Sequence, residues 1–316
     1  MRLLVLAPQP FFQIRGTPIA VKMLVETLAS SDQQIDLLTY HEGEDIDIAN
    51  CQHYRTPAIP FVNNIRPGFS WKKVLVDAAM TCSAARRMFS QRYDLVHAVE
   101  ESVFMALVFK LLFRVPYVYD MDSSLPVQLR ESQSIPKFSV RFFESLERLA
   151  IRHSTGVVAV CKSLEDTARR SDPDKLIARV EDVSLLDKST SCDEDLRDRL
   201  SLDGPMLMYV GNMETYQGVD LLVEAHRKVL DNVGNAELVV IGGMDADIAR
   251  CKALARHLGI ESHTHFVGPR PSSHLGHYLE QSDVVVSPRI SGNNTPMKIY
   301  SYLDSGKPLV ATRLPT

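Results

Sequence analysis

Two doubly wound α/β domains are predicted for this 316-residue chain by three observations. Short apolar runs alternate with amphipathic helical stretches, the pattern of parallel sheets covered by helices on both faces. The alternation falls into two sets on either side of residues 172–203, a stretch rich in Asp, Ser and Lys with Pro173 near its start. The chain is also long enough to bury two cores of ordinary size.

In the first set, strands are expected at residues 2–7, 35–39, 95–97, 117–119 and 156–160. In the second they are expected at 206–210, 237–241, 264–267, 284–286 and 309–311. The opening apolar run is cut short by Pro8, Gln9 and Pro10, too early for a secretory signal, so it reads as a core strand. Residues 103–119 are apolar but carry Lys110, Arg114 and Pro116, which fits a buried helix followed by a strand better than a membrane span. The domains are therefore placed at 1–171 and 204–316, with 172–203 as the interdomain hinge and room for a strand within 177–186.

Composition narrows the function classes. A net charge of −4, with no Lys/Arg run and no aromatic ladder, argues against nucleic acid as a partner. Cys51, Cys82, Cys161, Cys192 and Cys251 are scattered, odd in number and without metal-ligand spacing, which fits a reducing cytosol.

The most informative stretch is 287–315. The strand at 284–286 runs into a polar loop, Thr295 stands as a cap, Pro296 takes the first helical position, and a short helix runs to Gly306 before the last strand. A helix start at the carboxyl end of a parallel sheet favours an anionic ligand such as a diphosphate.

The residues Ser287-Pro288-Arg289, Asn294-Thr295-Pro296, Lys298, Tyr300, Tyr302-Leu303 and Ser305-Gly306-Lys307-Pro308 resemble the donor-binding end of the family 4 retaining glycosyltransferases of GT-B fold. The likeness is to a bacterial branch. It implies two Rossmann-like domains facing a cleft, hexosyl transfer from a nucleotide sugar to a hydroxyl acceptor with retention, and no metal or other cofactor. It also implies further helices beyond Thr316.

Carried over residue by residue, the resemblance names donor contacts. Tyr209-Val210-Gly211 through Gly218 matches the strand–loop–helix that opens the family's second domain. Most members hold the donor diphosphate there with Arg and Lys, where this chain has Asn212 and Gln217. Those side chains donate hydrogen bonds without charge, so Arg289 and Lys298 become the candidate cations, against the alternative of solvated surface cations. The family's two glutamates, at the transferred sugar and the donor ribose, fall on Asn293 and Ser301, with Asn294 and Thr295 beside the first. The turn His265 to Pro271 either holds the nucleotide base through backbone groups or is a plain turn.

In the first domain Gly16 and Thr17 occupy the family's glycine-containing first loop, although an ordinary strand-to-helix loop reads the same way. Glu100 falls on the family's acidic position at a strand end. It either binds and deprotonates acceptor hydroxyls or, with Glu101, merely opens the next helix. His97 reads as a satisfied core histidine. Asp122 stands where many relatives contact the transferred sugar through histidine, and Asp120 and Asp122 could equally cap a turn.

The acceptor is expected to be a saccharide, lipid-linked or part of a polysaccharide such as an exopolysaccharide. Residues 61–76 (Arg66, Phe69, Trp71, Lys72, Lys73) and 137–152 (Arg141, Phe142, Phe143, Arg148, Arg152) suit docking on an anionic bilayer. A helix packed on its own sheet would show the same stripe. The expected location is cytoplasmic, peripheral at the inner face of the plasma membrane if docking occurs. A nucleotide-sugar epimerase of the same fold and a non-catalytic donor-binding partner are the alternative functions.

Overall fold

The computed structural model describes residues 1–13, 16–63, 65, 70–131, 136–186, 192–292 and 294–314. The chain divides into two compact units between Glu181 and Asp182. Each is a parallel sheet covered by helices, the two-domain Rossmann-like architecture expected.

The first unit grows from Arg2–Leu6 (β1), in which Leu3, Leu4, Val5 and Leu6 are all buried, as a strand covered on both faces requires. Its other strands are Gln34–Thr39 (β2), Cys51–Arg55 (β3), Leu95–Val99 (β4), Tyr117–Met121 (β5), Gly156–Ala159 (β6) and Ile177–Arg179 (β7). They pair in parallel in the order β3-β2-β1-β4-β5-β6-β7. Helices close both faces. Helix Trp71–Ser90 starts where Ser70 Oγ accepts from the Lys73 amide and buries Val76, Met80, Ala84 and Met88 at four-residue spacing.

The second sheet holds Met206–Val210 (β8), Glu237–Ile241 (β9), Thr264–Gly268 (β10), Val284–Ser287 (β11) and Leu309–Ala311 (β12), in the order β10-β9-β8-β11-β12. All its pairings are parallel. Strand order reverses beside β1 in the first sheet and beside β8 in the second. Ligands of open α/β sheets bind outside the strand carboxyl ends at such points.

Three details refine the sequence reading. The strand Cys51–Arg55 has no apolar signature, because it is a half-buried edge strand defined by its pairing with β2. Within 172–203, the strand allowed for at 177–186 is present. Ile177–Arg179 pairs with β6 and completes the first sheet, while Leu196 anchors a short helix, Leu196–Leu200, in the second core. The helix Ser102–Phe113 is buried along one face, yet it exposes Val108, Leu111 and Leu112 near its end. Among the described residues no helix is long and apolar enough to cross a membrane.

Candidate functional site

In the second unit, the loops after β8 and β11 meet at the reversal of strand order. Lys298, the first residue of helix Lys298–Asp304, reaches back from the second loop to the first. Its Nζ donates to Tyr209 Oη at 2.8 Å and to Gln217 Oε1 at 3.2 Å, and lies 4.0 Å from the centre of the Tyr209 ring. Gly211 makes room for it, since a Cβ there would fall 2.6 Å from Nζ. Among the described residues no carboxylate pairs with this ammonium. Burial, with Arg289 as a nearby like charge, lowers its pKa to about 7. A desolvated lysine with only neutral partners is costly in the free protein, and an arriving anion relieves that cost.

Gln217 is buried, and its Oε1 accepts from the Lys298 ammonium. The Gly218 turn that carries it has φ +70, and a Cβ there would meet the Pro288 carbonyl oxygen at 2.1 Å, so the close packing of the two loops requires glycine.

The remaining donor candidates have more varied roles. Arg289 is nearly buried and shapes its own loop, donating from Nε to Ser291 O at 2.7 Å and from its terminal nitrogens to Asn294 O and Oδ1 at 3.0 and 2.9 Å. Its guanidinium lies 5.5 Å from the Tyr216 ring centre. Asn294 is engaged in holding that arginine. Asn212 is exposed, and its Oδ1 accepts from the Glu214 amide at 3.4 Å. Asn293, like Arg15, Arg66 and Phe69, lies outside the described residues.

Two expectations at the last loop are overturned. The regular helix starts at Lys298 with no side-chain cap, because the first turn is closed by the Ile299 amide donating to Pro296 O at 2.9 Å. Thr295 therefore stands outside the helix and does not cap it. Ser301 is 1% exposed and its Oγ accepts from the Leu185 amide at 3.0 Å, so its hydroxyl is committed to the fold and not presented to a ribose.

In the first unit, the ends of β4 and β5 converge. The Glu100 amide donates to Asp120 O at 2.9 Å, extending the ladder, and Glu100 then turns with φ +50. Its carboxylate accepts from Ser123 Oγ at 2.7 Å, which brings it to the loop that carries the half-buried Asp122. Burial, and next the Glu101 carboxylate, raise the Glu100 pKa above the usual range, against the lowering effects of Lys73 and Ser123. Glu101 precedes helix Ser102–Phe113 but makes no cap; it pairs instead with Lys73 of helix Trp71–Ser90. His97 is a core histidine, its Nε2 2.8 Å from Asp120 Oδ2. Gly16 opens helix Gly16–Ser30, with free space around it and Thr17 half-buried beside it.

A second layer of acids behind Glu100 was not anticipated. Asp77 accepts from Tyr40 Oη and is pushed up to about 7 by burial and then by Glu101. Glu147 accepts from Ser124 Oγ at 3.0 Å and Tyr119 Oη at 3.3 Å, and burial raises it to about 7. The one sequence signal was Lys73 and Asp77 at i and i+4, which also reads as an ordinary solvated helix pair.

The family model described as a glycosyl transferase 4-like domain matches residues 15–180, and that described as glycosyl transferases group 1 matches 204–316. An uncharacterized glycosyltransferase of Methanocaldococcus jannaschii is 24% identical over 290 residues, covering 88% of this chain and 71% of that protein. Among solved structures, sucrose-phosphate synthase from Thermosynechococcus elongatus gives a TM-score of 0.77 at 19% identity, over 98% of this chain and 80% of that one. Anabaena HepE in complex with UDP-glucose gives 0.69 at 16% identity, again over 98% and 80%. At these identities the structural likeness establishes the GT-B fold alone.

Proposed function

The chain belongs to the glycosyl transferase 4-like family, with a second domain of the group 1 glycosyl transferases, and from that premise we propose that it moves a hexosyl group from a nucleoside diphosphate sugar to the hydroxyl of a saccharide acceptor, with retention and without a metal. It is a glycosyltransferase; the donor class, acceptor and stereochemistry are our reading. The observation that carries it is Lys298: a buried ammonium without a carboxylate partner among the described residues, at the switch point of the second sheet. HepE binds UDP-glucose, which supports a uridine diphosphate sugar as the first donor to test.

As the bond between the anomeric carbon and the diphosphate oxygen breaks, the electron pair leaves with the diphosphate. Negative charge then grows where Lys298, in the field of Arg289, can neutralise it. The acceptor hydroxyl forms the new bond to the anomeric carbon. Its proton passes to Glu100, whose raised pKa and hydrogen bond to Ser123 suit a general base, while Asp122 binds neighbouring hydroxyls.

The acceptor reading rests on helix Lys137–His153. Its exposed side chains include Phe138, Phe142 and Leu149 interleaved with Arg141, Arg148 and Arg152. Its acids are engaged elsewhere: Glu147 is buried, and Glu144 pairs with Arg130. Aromatics among arginines on a solvent-facing helix suit an anionic lipid surface, so the acceptor is a lipid-linked saccharide and the protein works peripherally at the cytoplasmic face of the membrane. Donor turnover measured with and without acceptor, with the anomeric product read by NMR, tests the reaction. UDP binding without turnover on any saccharide would favour a donor-binding partner instead.

A further inference from the structure

A cavity of about 340 Å³ opens among helices Trp71–Ser90, Ser102–Phe113, Leu125–Glu131 and Lys137–His153 of the first unit. Such a volume suits a small ligand. The apolar side chains of Val74, Ala78, Phe104, Val108, Leu125 and Phe143 make most of its wall. Val74 and Val108 are about half exposed at its mouth, and Lys73 and Glu101, ion-paired and largely buried, also line it. A line of aromatic rings joins the cavity to the basic helix face, with Phe104 to Phe143 at 6.2 Å and Phe143 to the exposed Phe142 at 5.5 Å.

We propose that this cavity holds the hydrocarbon chain of the lipid-linked acceptor. The inference rests on the lipid-linked reading of the acceptor above. The chain's head end lies toward Glu101, whose backbone neighbour is Glu100, and its tail runs out past Val74 and Val108 toward the face that carries Phe142. The apolar wall receives the methylenes. On the helix that contributes Phe143 to the wall, the exposed Arg141 and Arg148 give the positive charge that an anionic lipid surface requires, with no exposed carboxylate of the same helix to oppose it.

The test is a calorimetric titration of the full chain, saturated with UDP, against n-alkyl phosphates from butyl to dodecyl, each below its micelle concentration. A chain entering the cavity gains about fourfold in affinity per added methylene, and the gain levels off once the cavity is full. Ala78 is exposed on its helix, so Ala78→Phe fills the mouth without disturbing a core position, and it should abolish the rise while leaving UDP affinity unchanged. Affinity independent of chain length overturns the proposal, as does a rise that is the same in Ala78→Phe. A dimer in sedimentation equilibrium that Phe142→Asp dissociates, together with flat chain-length dependence, assigns the face to a second copy and also overturns it. Donor turnover, measured separately with UDP-glucose and a saccharide acceptor in place of UDP and alkyl phosphate, separates the two readings. Turnover without chain-length dependence removes the cavity proposal alone. Chain-length dependence without turnover keeps an alkyl-binding cavity and removes its assignment to the acceptor.

Discussion

The carboxyl edge of the second sheet holds Lys298 with no carboxylate partner among the described residues, and that of the first gathers surplus acid around Glu100, Glu101, Asp77 and Glu147. Both edges are built the same way, from parallel strands with a reversal of order, so architecture does not explain the difference. Residue type does. In the second unit the strand-end loops supply Tyr209 and Gln217, neutral groups that hold an ammonium and leave its charge uncompensated. In the first, Glu100 and Glu101 at a strand end and Asp77 and Glu147 on the covering helices outnumber Lys73, so burial pushes protons onto Glu100, Asp77 and Glu147. On the proposed reading, the site short of negative charge suits a diphosphate, and the site with half-titrated acids suits hydroxyls and protons.

The largest expected effect that separates the two regions is on turnover. Glu100→Gln should lower kcat by roughly 10²-fold or more while leaving UDP affinity within twofold. Steady-state kinetics with the true acceptor, beside UDP titration, check this; an unchanged kcat would remove Glu100 as base. The reciprocal change is Lys298→Met, expected to cost about 2 kcal/mol of UDP binding, roughly thirtyfold, with uridine affinity little altered. Equal losses for both ligands would mean that the lysine holds the loop and not the diphosphate.

Acidity distinguishes the edges further. Lys298 in the free protein titrates at about 7, so UDP binding at higher pH must recruit a proton, and affinity should fall as pH rises above 7, by up to tenfold per unit. Glu100 must be ionised to act, so kcat should instead rise with pH through its raised pKa. The profile of kcat/KM should be bell-shaped, and Lys298→Met should flatten its alkaline limb. The same lysine gives a stability prediction. Its folded pKa lies below the unfolded value, so between the two the unfolded chain binds more protons, and unliganded stability should rise with pH from about 7 toward 10. Thermal melts of wild type and Lys298→Met at pH 7 and 9 check the sign; the variant should show a smaller rise.

The smallest effect concerns the membrane. Arg148→Glu should weaken co-sedimentation with anionic vesicles by about 1 kcal/mol or more, roughly fivefold, and Phe142→Asp by a similar amount. Neither should alter UDP binding. Binding unchanged by both substitutions would return the acceptor to solution.

Much of this was legible in the sequence, and the gaps have physical reasons. Buried strands such as Leu3 to Leu6 and Glu237–Ile241 announce themselves as apolar runs. The edge strand Cys51–Arg55 does not, since only its partner defines it. Lys298 was legible as a cation in a donor-like loop, but not its grip on Tyr209 and Gln217, which comes from the fold bringing residues 89 and 81 positions apart together. Thr295 looked like a cap because Thr-Pro so often opens a helix; here the Arg289 side chain folds the preceding loop and the helix starts later. Ser301 showed nothing of its bond to the Leu185 backbone. The acid cluster was hidden for the same reason, as Tyr40, Asp77, Glu101 and Glu147 come from four separate elements.

The most direct measurement is the number of protons taken up when UDP binds at pH 8.5, obtained by calorimetry in buffers of different ionisation enthalpy. The diphosphate is already ionised there, since such groups titrate near 6, so uptake must come from the protein. Close to one proton per UDP, falling to near zero in Lys298→Met, is the expected result. No uptake in the wild type, or the same uptake in the variant, would contradict the assignment of Lys298 as the cation that receives the diphosphate.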